Sequence, residues 1–295
     1  MKVWVTGAAG LLGRWVAKRL LARGDDVVAV DNRNRYALFG EDRKQPWPDE
    51  LRHPKCIRVE ESFDSPDALD LMREERPYAI VHCAAQTSHP RSIDVPLIDF
   101  EVNALGTLRL LESLRDEDRW RGGPRPRLVF ISSAKVYGEK VCDASRMRTT
   151  GAYAPTKIPN SVKPDTRIVP ATPEEDLWGD LDAETWTYGV NETCPIGDGT
   201  IMTPFGVSKA AADLYCQQYA RLYGLDIVVL RPGCFTGPRS NAVVEQNWLP
   251  VLVRAAVRGK TFTCYGFGGK QVRSILHVED LARAVEFSEV NLASV

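Results

Sequence analysis

A glycine-rich turn between a short apolar strand and a helix is the feature of this sequence that most constrains its fold. Residues 2–6 have the pattern of a short strand with the apolar centre Val-Trp-Val, and residues 11–23 have the pattern of a helix. Between them, Gly7, Gly10 and Gly13 have the spacing GxxGxxG. This spacing predicts a tight turn at Gly7, a close approach of the backbone to a ligand at Gly10, and close packing of helix on strand at Gly13.

The helix after this turn presents free N–H groups and the positive end of its dipole, so the turn predicts a pyrophosphate site. Three spaced glycines are weak evidence alone, but here Asp31 also ends the second predicted strand, residues 27–30. Asp31 is placed to accept hydrogen bonds from the ribose hydroxyls of an adenine dinucleotide, and its charge opposes a 2′-phosphate. Arg33 and Arg35 could accommodate that phosphate, but the position of the acid favours NAD over NADP.

Strand-like and helix-like segments alternate along the first two hundred residues. The predicted strands are 2–6, 27–30, 57–59, 79–83 and 128–132, and the predicted helices are 11–23, 68–75 and 97–114. Further on, helices are predicted at 205–223, 248–258 and from 278, with strands at 227–231 and 261–265. The alternation predicts an α/β fold, a doubly wound parallel sheet covered by helices.

Composition excludes several classes of protein. With 38 Lys plus Arg and 39 Asp plus Glu, the net charge of -1 gives no electrostatic footprint for nucleic acid or an anionic membrane. The N-terminus runs directly into a strand and no apolar run has membrane-spanning length, which predicts a cytoplasmic protein. Seven scattered cysteines predict reduced thiols. The histidines lack metal-ligand spacing, so we predict no metal and structural roles for His53, His82, His89 and His277.

Three regions are predicted along the chain. Residues 1–138 and 205–233 form the dinucleotide-binding core. Residues 139–204 lack a regular pattern, which predicts either a disordered surface insertion or a functional loop, and their aromatic residues favour a lid over the substrate. Residues 234–295 form a smaller substrate-binding region.

Eight segments together resemble the extended short-chain dehydrogenases that modify nucleotide sugars, the epimerase and dehydratase group. They are TGAAGLLG, VDN, VHCAAQ, NALGT, FISSAKVYG, FGVSKAAAD, LRPGCFTGP and GKQVRSILHVEDLA, in the order of that group. AKVYG, FGVSK and GKQVR look most like the CDP-paratose (CDP-tyvelose) 2-epimerase branch. The resemblance implies a Rossmann fold, a tightly held NAD, a nucleotide-sugar substrate and a homodimer. It also implies a truncated substrate-binding region, because members of the group continue beyond the position that matches Val295.

The same resemblance assigns residues to the site. It implies cofactor-binding roles for Gly7, Gly10, Leu11, Leu12, Gly13, Asp31, Asn32, Ser62, Ala84, Ala85, Gln86, Asn103 and Lys209. Near Ser62 the group has an acid that contacts the adenine, and here Ser62 or the nearby Asp64 could replace it. Ser133 matches the catalytic Ser or Thr, Lys209 matches the catalytic lysine, and Tyr137 is implied to lie near the nicotinamide. Substrate-binding roles are implied for Ser133, Lys135, Arg239, Gln246 and Arg273, of which Arg273 matches the arginine that holds the diphosphate.

Phe205 departs from the pattern of the group, which has the catalytic tyrosine at this position. Four residues before Lys209, a tyrosine would share one helix face with the lysine, whose charge would favour the phenolate. That phenolate would accept the sugar hydroxyl proton, whereas Phe205 has no oxygen. Three explanations compete. Another group supplies the base (Ser133, Tyr137 or a water held by Lys209), the hydroxyl was removed by engineering, or the protein binds without turnover. The first is favoured, because some relatives of this branch carry Phe here.

The leading hypothesis from sequence is therefore an NAD-dependent nucleotide-sugar epimerase that transiently oxidises one sugar carbon. A dehydratase or decarboxylase would retain the same oxidation and differ in the product. A catalytically silent protein that binds NAD and a nucleotide sugar is the alternative from another class.

Overall fold

A six-stranded parallel sheet forms the centre of the protein in a computed structural model. The structure describes residues 1–39, 44–120, 123–142, 195–197, 201–240, 248–263 and 275–290. The strands follow the spatial order β3-β2-β1-β4-β5-β6, which confirms the predicted doubly wound arrangement. Their bounds are β1 Lys2–Thr6, β2 Asp26–Val30, β3 Cys56–Val59, β4 Ala79–His82, β5 Arg127–Ile131 and β6 Ile227–Leu230.

The central strands are buried on both faces, as their continuous apolar sequences require. Because successive side chains of a strand point to opposite faces, Val3 and Val5 enter one core while Trp4 enters the other. Helix α1 (Leu11–Arg23) and helix α8 (Val278–Val290) cover the first face. Helix α8 lies within residues 234–295, which the sequence predicts as the substrate-binding region. Its Leu281 and Val285 nevertheless join the core on the first face of the central sheet.

The second face is covered by helices that carry parts of the site. They are α2 (Pro66–Glu75), α5 (Gly106–Arg115) and α6 (Pro204–Tyr223). Two short helices, α3 (His89–Asp94) and α4 (Pro96–Phe100), lead into α5, and a π-helical turn over Glu101–Leu105 joins α4 to α5. The predicted helix 97–114 is thus confirmed, with one widened turn inside it. Such turns are common at functional sites.

Beyond β6, the chain forms elements that the sequence patterns predicted less well. Strands β7 (Cys234–Thr236) and β8 (Ile275–His277) pair in parallel as a separate two-stranded sheet that was not predicted. Helix α7 (Trp248–Val257) was predicted. Residues 261–263 are not a strand, and the rest of the strand predicted at 261–265 lies outside the described residues.

Most of the long loop predicted at 139–204, including the residues that favoured a lid, lies outside the described residues. Within the described ranges, no helix is long and apolar enough to cross a bilayer.

Candidate functional site

The glycine turn lies against the end of β4, at the point where the strand order reverses. Gly7 has a φ of +65°, and a Cβ there would lie 2.7 Å from the Cα of Ala84. A Cβ on Gly13 would lie 2.2 Å from the carbonyl oxygen of Gly7. The backbone of the turn therefore packs directly against neighbouring backbone at the carboxyl edge of the sheet, with no side chain between them. This arrangement forms a cradle of the kind that binds a pyrophosphate. Its helical side is formed by Gly10, Leu11, Leu12 and Gly13.

Asp31 connects the end of β2 to this turn. Its carboxylate accepts hydrogen bonds from the N–H of Ala9 at 2.9 Å and from the N–H of Arg33 at 2.7 Å. Burial raises the pKa of Asp31, although both N–H donors oppose this effect. A carboxylate has about four lone-pair positions, so two backbone bonds leave acceptor capacity for ribose hydroxyls. The neighbouring Asn32 side chain caps the next turn through the N–H of Asn34, at 3.1 Å.

The two arginines after Asp31 have different surroundings. The Arg33 guanidinium forms an ion pair with Glu60 and lies 5.7 Å from the centre of the Trp47 ring. It is therefore neutralised by an acid, which reduces its suitability for a 2′-phosphate. Burial lowers the pKa of Arg35, although Asp31 partly offsets this. The geometry around Asp31 fits NAD, the cofactor predicted from sequence.

Ser62, predicted at the adenine end, lies in the loop after β3. Its hydroxyl donates to Asp64 at 2.6 Å, and Asp64 in turn pairs with Arg109 at 2.8 Å. A serine oxygen that donates its hydrogen bond to Asp64 still has lone pairs that can accept from an amino group. The geometry is thus compatible with an adenine contact at Ser62.

A buried polar network holds the segment after β4 to helix α6. The Asn103 amide accepts from the N–H of Gln86 at 2.9 Å, and it donates to the Gln86 carbonyl at 3.0 Å and to the Ser208 hydroxyl at 3.1 Å. Asp99 accepts from the Gln86 amide at 2.8 Å and also from Ser208. Burial raises the pKa of Asp99, and these donors lower it. The network fixes the backbone of Gln86 and holds it to Ser208, the residue before Lys209 on α6.

Lys209 is buried, and its ammonium lies at the carboxyl end of β5. The Nζ atom donates to the carbonyl of Ile131 at 2.6 Å and lies 4.3 Å from the centre of the Phe130 ring. Burial lowers the pKa of Lys209 to about 8, while nearby acids oppose the effect. Ser133 follows two residues after Ile131, so the structure brings the ammonium to the segment that carries the predicted catalytic serine. Phe205 is buried one helical turn before Lys209.

The Tyr137 hydroxyl belongs to a second polar cluster, centred on Arg231. This hydroxyl accepts from Arg231 at 2.9 Å, and Arg231 also binds both oxygens of Asp213, at 2.8 and 2.9 Å. Ser132 donates to the same carboxylate at 2.6 Å. These bonds join β6, α6 and the 3-10 segment after β5. Tyr137, considered from sequence as a substitute base, thus has its hydroxyl in a structural cluster.

The residues predicted to bind the substrate lie in different parts of the structure. Ser133 is half-buried and its Oγ accepts from the N–H of Lys135 at 3.2 Å. The backbone of Lys135 approaches the start of α6, where a Cβ on Gly206 would lie 3.1 Å from the Lys135 carbonyl oxygen. Arg239 is exposed and lies close enough to Arg14, on the first turn of α1, to lower the pKa of that arginine, although burial contributes more. Gln246 and Arg273 lie outside the described residues.

His82 is the structural histidine of the site. One ring nitrogen lies 2.7 Å from the Thr6 hydroxyl and the other 3.1 Å from the Thr107 hydroxyl, so both nitrogens are used. Burial lowers the pKa of His82 from 6.5 to about 3, and the Lys209 charge adds to this effect. The ring therefore stays neutral in the folded protein while it is protonated in the unfolded chain below pH 6.5.

This difference predicts acid sensitivity. Between pH 6.5 and about 3 the unfolded state binds one more proton, so the free energy of unfolding should fall as pH falls, by about 1.4 kcal/mol per pH unit. Urea unfolding at pH 7, 6 and 5 measures the slope. His82→Gln should be less stable at pH 7 and should show a slope smaller by about that amount. Equal slopes in the two proteins would contradict the prediction.

The sequence patterns did not identify two residues that the structure brings to this region. His89 begins α3 and packs against Phe205, with ring centres 4.5 Å apart. Asp213 organises the Arg231 cluster from within α6. His89 lies three residues after Gln86, on a short helix that no hydrophobic period revealed, whereas Asp213 lies four residues after Lys209, and that helical spacing could have indicated it.

No group of His, Cys, Asp and Glu side chains suited to a metal ion is present among the residues that the structure describes.

A parallel sheet of this strand order, with a glycine cradle at its switch point and an acid after β2, defines a dinucleotide-binding protein of the Rossmann type. A sequence model of the NAD dependent epimerase/dehydratase family matches residues 3–160 and 183–289. The chain belongs to this family, and its cofactor is accordingly NAD.

Individual relatives are similar over nearly the whole chain. CDP-paratose 2-epimerase of Salmonella typhi is 29% identical over 95% of this chain and 72% of its own. A dTDP-glucose 4,6-dehydratase of Escherichia coli is 28% identical over 97% of this chain and 67% of its own. Among solved structures, UDP-glucose 4-epimerase of Thermus thermophilus in complex with NAD superposes with a TM-score of 0.66 and 26% identity, covering 99% of this chain and 75% of that one.

Proposed function

We propose that the protein is an NAD-dependent nucleotide-sugar epimerase of the CDP-paratose 2-epimerase type, which acts by transient oxidation of one sugar carbon. The observation that carries this proposal is the buried Lys209 ammonium, 2.6 Å from the Ile131 carbonyl and next to the Ser133 segment. A charge in this position, at the edge of the sheet that carries the glycine cradle, suits proton and hydride chemistry on a hydroxyl. The similarity to CDP-paratose 2-epimerase supports the choice of reaction.

Within this proposal each residue has a defined task. The backbone from Gly7 to Gly13 and the Asp31 carboxylate hold the two ends of the adenosine diphosphate half, and bound NAD supplies a hydride acceptor and donor. Ser133 binds the sugar hydroxyl, and the Lys209 ammonium stabilises negative charge that develops on its oxygen. Lys135 and Arg239 are proposed to contact the nucleotide sugar. The roles of Gln246 and Arg273 in the same task stay predictions.

The reaction is tested by mixing the purified protein with CDP-, UDP- and GDP-sugars in turn. The expected result with one of them is a transient absorbance of reduced nicotinamide, followed by an epimer of unchanged mass. If no sugar gives either signal at enzyme concentrations above that of the substrate, the proposed reaction is wrong.

A dehydratase is the second candidate, favoured by the similarity to dTDP-glucose 4,6-dehydratase over 97% of the chain. It would use the same oxidation and then eliminate water. Mass spectrometry of the product separates the two reactions, because epimerisation conserves mass and dehydration lowers it by one water.

We further propose that the protein is a homodimer, in the cytoplasm. The dimer is supported by large apolar side chains that α4, α6 and the end of α3 expose; Leu97, for example, is 76% exposed. Apolar patches of this kind mark interaction surfaces. The exposed residues on these helices are Ile93, Leu97, Ile98, Phe100, Val207, Leu214, Tyr215, Leu222 and Tyr223.

A further inference from the structure

A second acid, Glu60, lies beside Asp31 at the carboxyl edge of the sheet. Val30 and Val59 are register partners in β2 and β3, and the N–H of Asp31 donates to the Val59 carbonyl at 3.1 Å. Glu60 is the next residue of the chain after Val59, so the acids that follow the two strands are neighbours. The ribose hydroxyls of an adenine dinucleotide are expected at this edge.

Arg33 is held close to the same place. Its N–H donates to Asp31 at 2.7 Å, its carbonyl accepts from the N–H of Gln45 at 2.9 Å, and its φ of +57° is uncommon for a residue other than glycine. Burial raises the pKa of Asp31, and the Arg33 charge is among the influences that lower it. An arginine near an adenosine ribose can accommodate the 2′-phosphate of NADP. Arg33 therefore lies where it could counteract the preference of Asp31 for NAD.

Glu60 binds this arginine and is itself fixed by a second cation. The Arg33 guanidinium donates to one oxygen of Glu60, and the Lys44 ammonium donates to the other. The bond from Lys44 contributes most to lowering the pKa of Glu60, so the carboxylate is charged at neutral pH. The loop that carries Lys44 is tied to the glycine turn, because the Gln45 side chain donates to the carbonyl of Ala9. Glu60 thus holds Arg33 from a fixed position.

We propose that Glu60 is a specificity-determining residue for the cofactor, which excludes NADP by holding the Arg33 guanidinium that would otherwise bind the 2′-phosphate. The inference rests on the NAD cofactor and is independent of the reaction proposed above. To bind NADP, the protein would have to separate Arg33 from Glu60 and accept a phosphate of nearly two negative charges beside two carboxylates. NAD has a hydroxyl at that position, and it requires neither change.

The decisive variant is Glu60→Gln, because the amide keeps the length of the side chain and one acceptor oxygen but removes the charge. An amide oxygen binds a guanidinium more weakly than a carboxylate does, so Arg33 becomes available to the phosphate. We expect the calorimetric affinity for NADP to rise about tenfold, the lower limit for one hydrogen bond to a charged group. The affinity for NAD should stay within about twofold of wild type.

Glu61→Gln is the matched control. Glu61 is the adjacent exposed acid, and its substitution changes the net charge by the same amount in the same loop. Both affinities should stay within about twofold of wild type in this variant. If circular dichroism shows that Glu60→Gln does not fold, Glu60→Ala replaces it in the same titrations.

A double variant shows whether the effect passes through Arg33. Adding Arg33→Gln to Glu60→Gln removes the guanidinium that would bind the phosphate, so the affinity for NADP should return to within about twofold of wild type. Circular dichroism of the double variant confirms that the loop change has not unfolded the protein.

The titrations decide the proposal without any sugar substrate. An unchanged NADP affinity in folded Glu60→Gln would overturn it, and so would an equal gain for NAD and NADP, which would indicate a general attraction of phosphates. An equal gain in Glu61→Gln, or a gain that persists in the double variant, would overturn it as well. None of these results bears on epimerisation, and a failure of the proposed reaction would leave the role of Glu60 intact.

Discussion

Gly13→Ala is expected to weaken NAD binding about 1000-fold and to abolish turnover at ordinary cofactor concentrations. The added Cβ would lie 2.2 Å from the Gly7 carbonyl oxygen and 2.8 Å from the Cα of Ala8. Both are backbone atoms of the cradle, so α1 must move away from the turn. Overpacking costs about 1–3 kcal/mol, and a lost N–H contact to phosphate adds about 1 kcal/mol. Because both clashes are with backbone atoms that cannot yield, we expect the upper end of this sum, about 4 kcal/mol or three orders of magnitude in affinity.

The other end of the same helix provides the control. Gly24 ends α1 with a φ of +96°, and a Cβ there would meet nothing within 4 Å. Gly24→Ala should therefore lower the free energy of unfolding by about 1–2 kcal/mol through backbone strain and leave the NAD affinity unchanged. Calorimetric titration of NAD and thermal unfolding of both variants make the comparison. Equal NAD affinity in Gly13→Ala and wild type would show that the turn does not hold the cofactor.

The glycine turn and the acid after β2 were predictable because both are local signals. A spacing of glycines between a strand and a helix fixes the backbone near them, and Asp31 follows its strand directly. The structure adds the contact between Asp31 and the Ala9 N–H, at 2.9 Å, which those positions imply. Buried strands and long helices were likewise predictable, since each carries its own apolar pattern.

The surroundings of Phe205 were not predictable from such signals. His89 and Thr203 are 114 positions apart, and no period in either segment indicates that they meet. The pairing of β7 with β8 was also not predictable, because two three-residue strands are too short to carry a pattern. Tyr137 illustrates a further limit. Its position in AKVYG follows from sequence, but the contact of its hydroxyl with Arg231 depends on the packing of β6 against the segment after β5.

Phe205 is the departure from the family pattern that bears most directly on the reaction. In sequence alone, it was a missing base, with a silent protein among the explanations. In the structure its ring packs against that of His89, with ring centres 4.5 Å apart, one helical turn before Lys209. The charge of Lys209 can be tested independently of this position.

Replacing Lys209 with methionine should lower the rate of nicotinamide reduction by about 10⁴-fold, the high end for a general acid–base group, because the charge that stabilises the developing alkoxide is also lost. Methionine has a similar length and an apolar body, so it fits against the Phe130 ring. The protein should still fold, and Lys18→Met, at an exposed lysine of α1, should keep the wild-type rate. Single-turnover absorbance of reduced nicotinamide measures all three proteins.

The pH dependence of the wild-type protein provides an independent measure of the same charge. Burial lowers the pKa of Lys209 to about 8, so the ammonium carries its proton at pH 7 and loses it as pH rises through about 8. Nicotinamide reduction should decline over that range, whereas a lysine in water would stay charged to about pH 10.4. The residual rate of Lys209→Met should lack this decline. If the variant and the wild-type protein decline together above pH 8, the group that titrates is not Lys209.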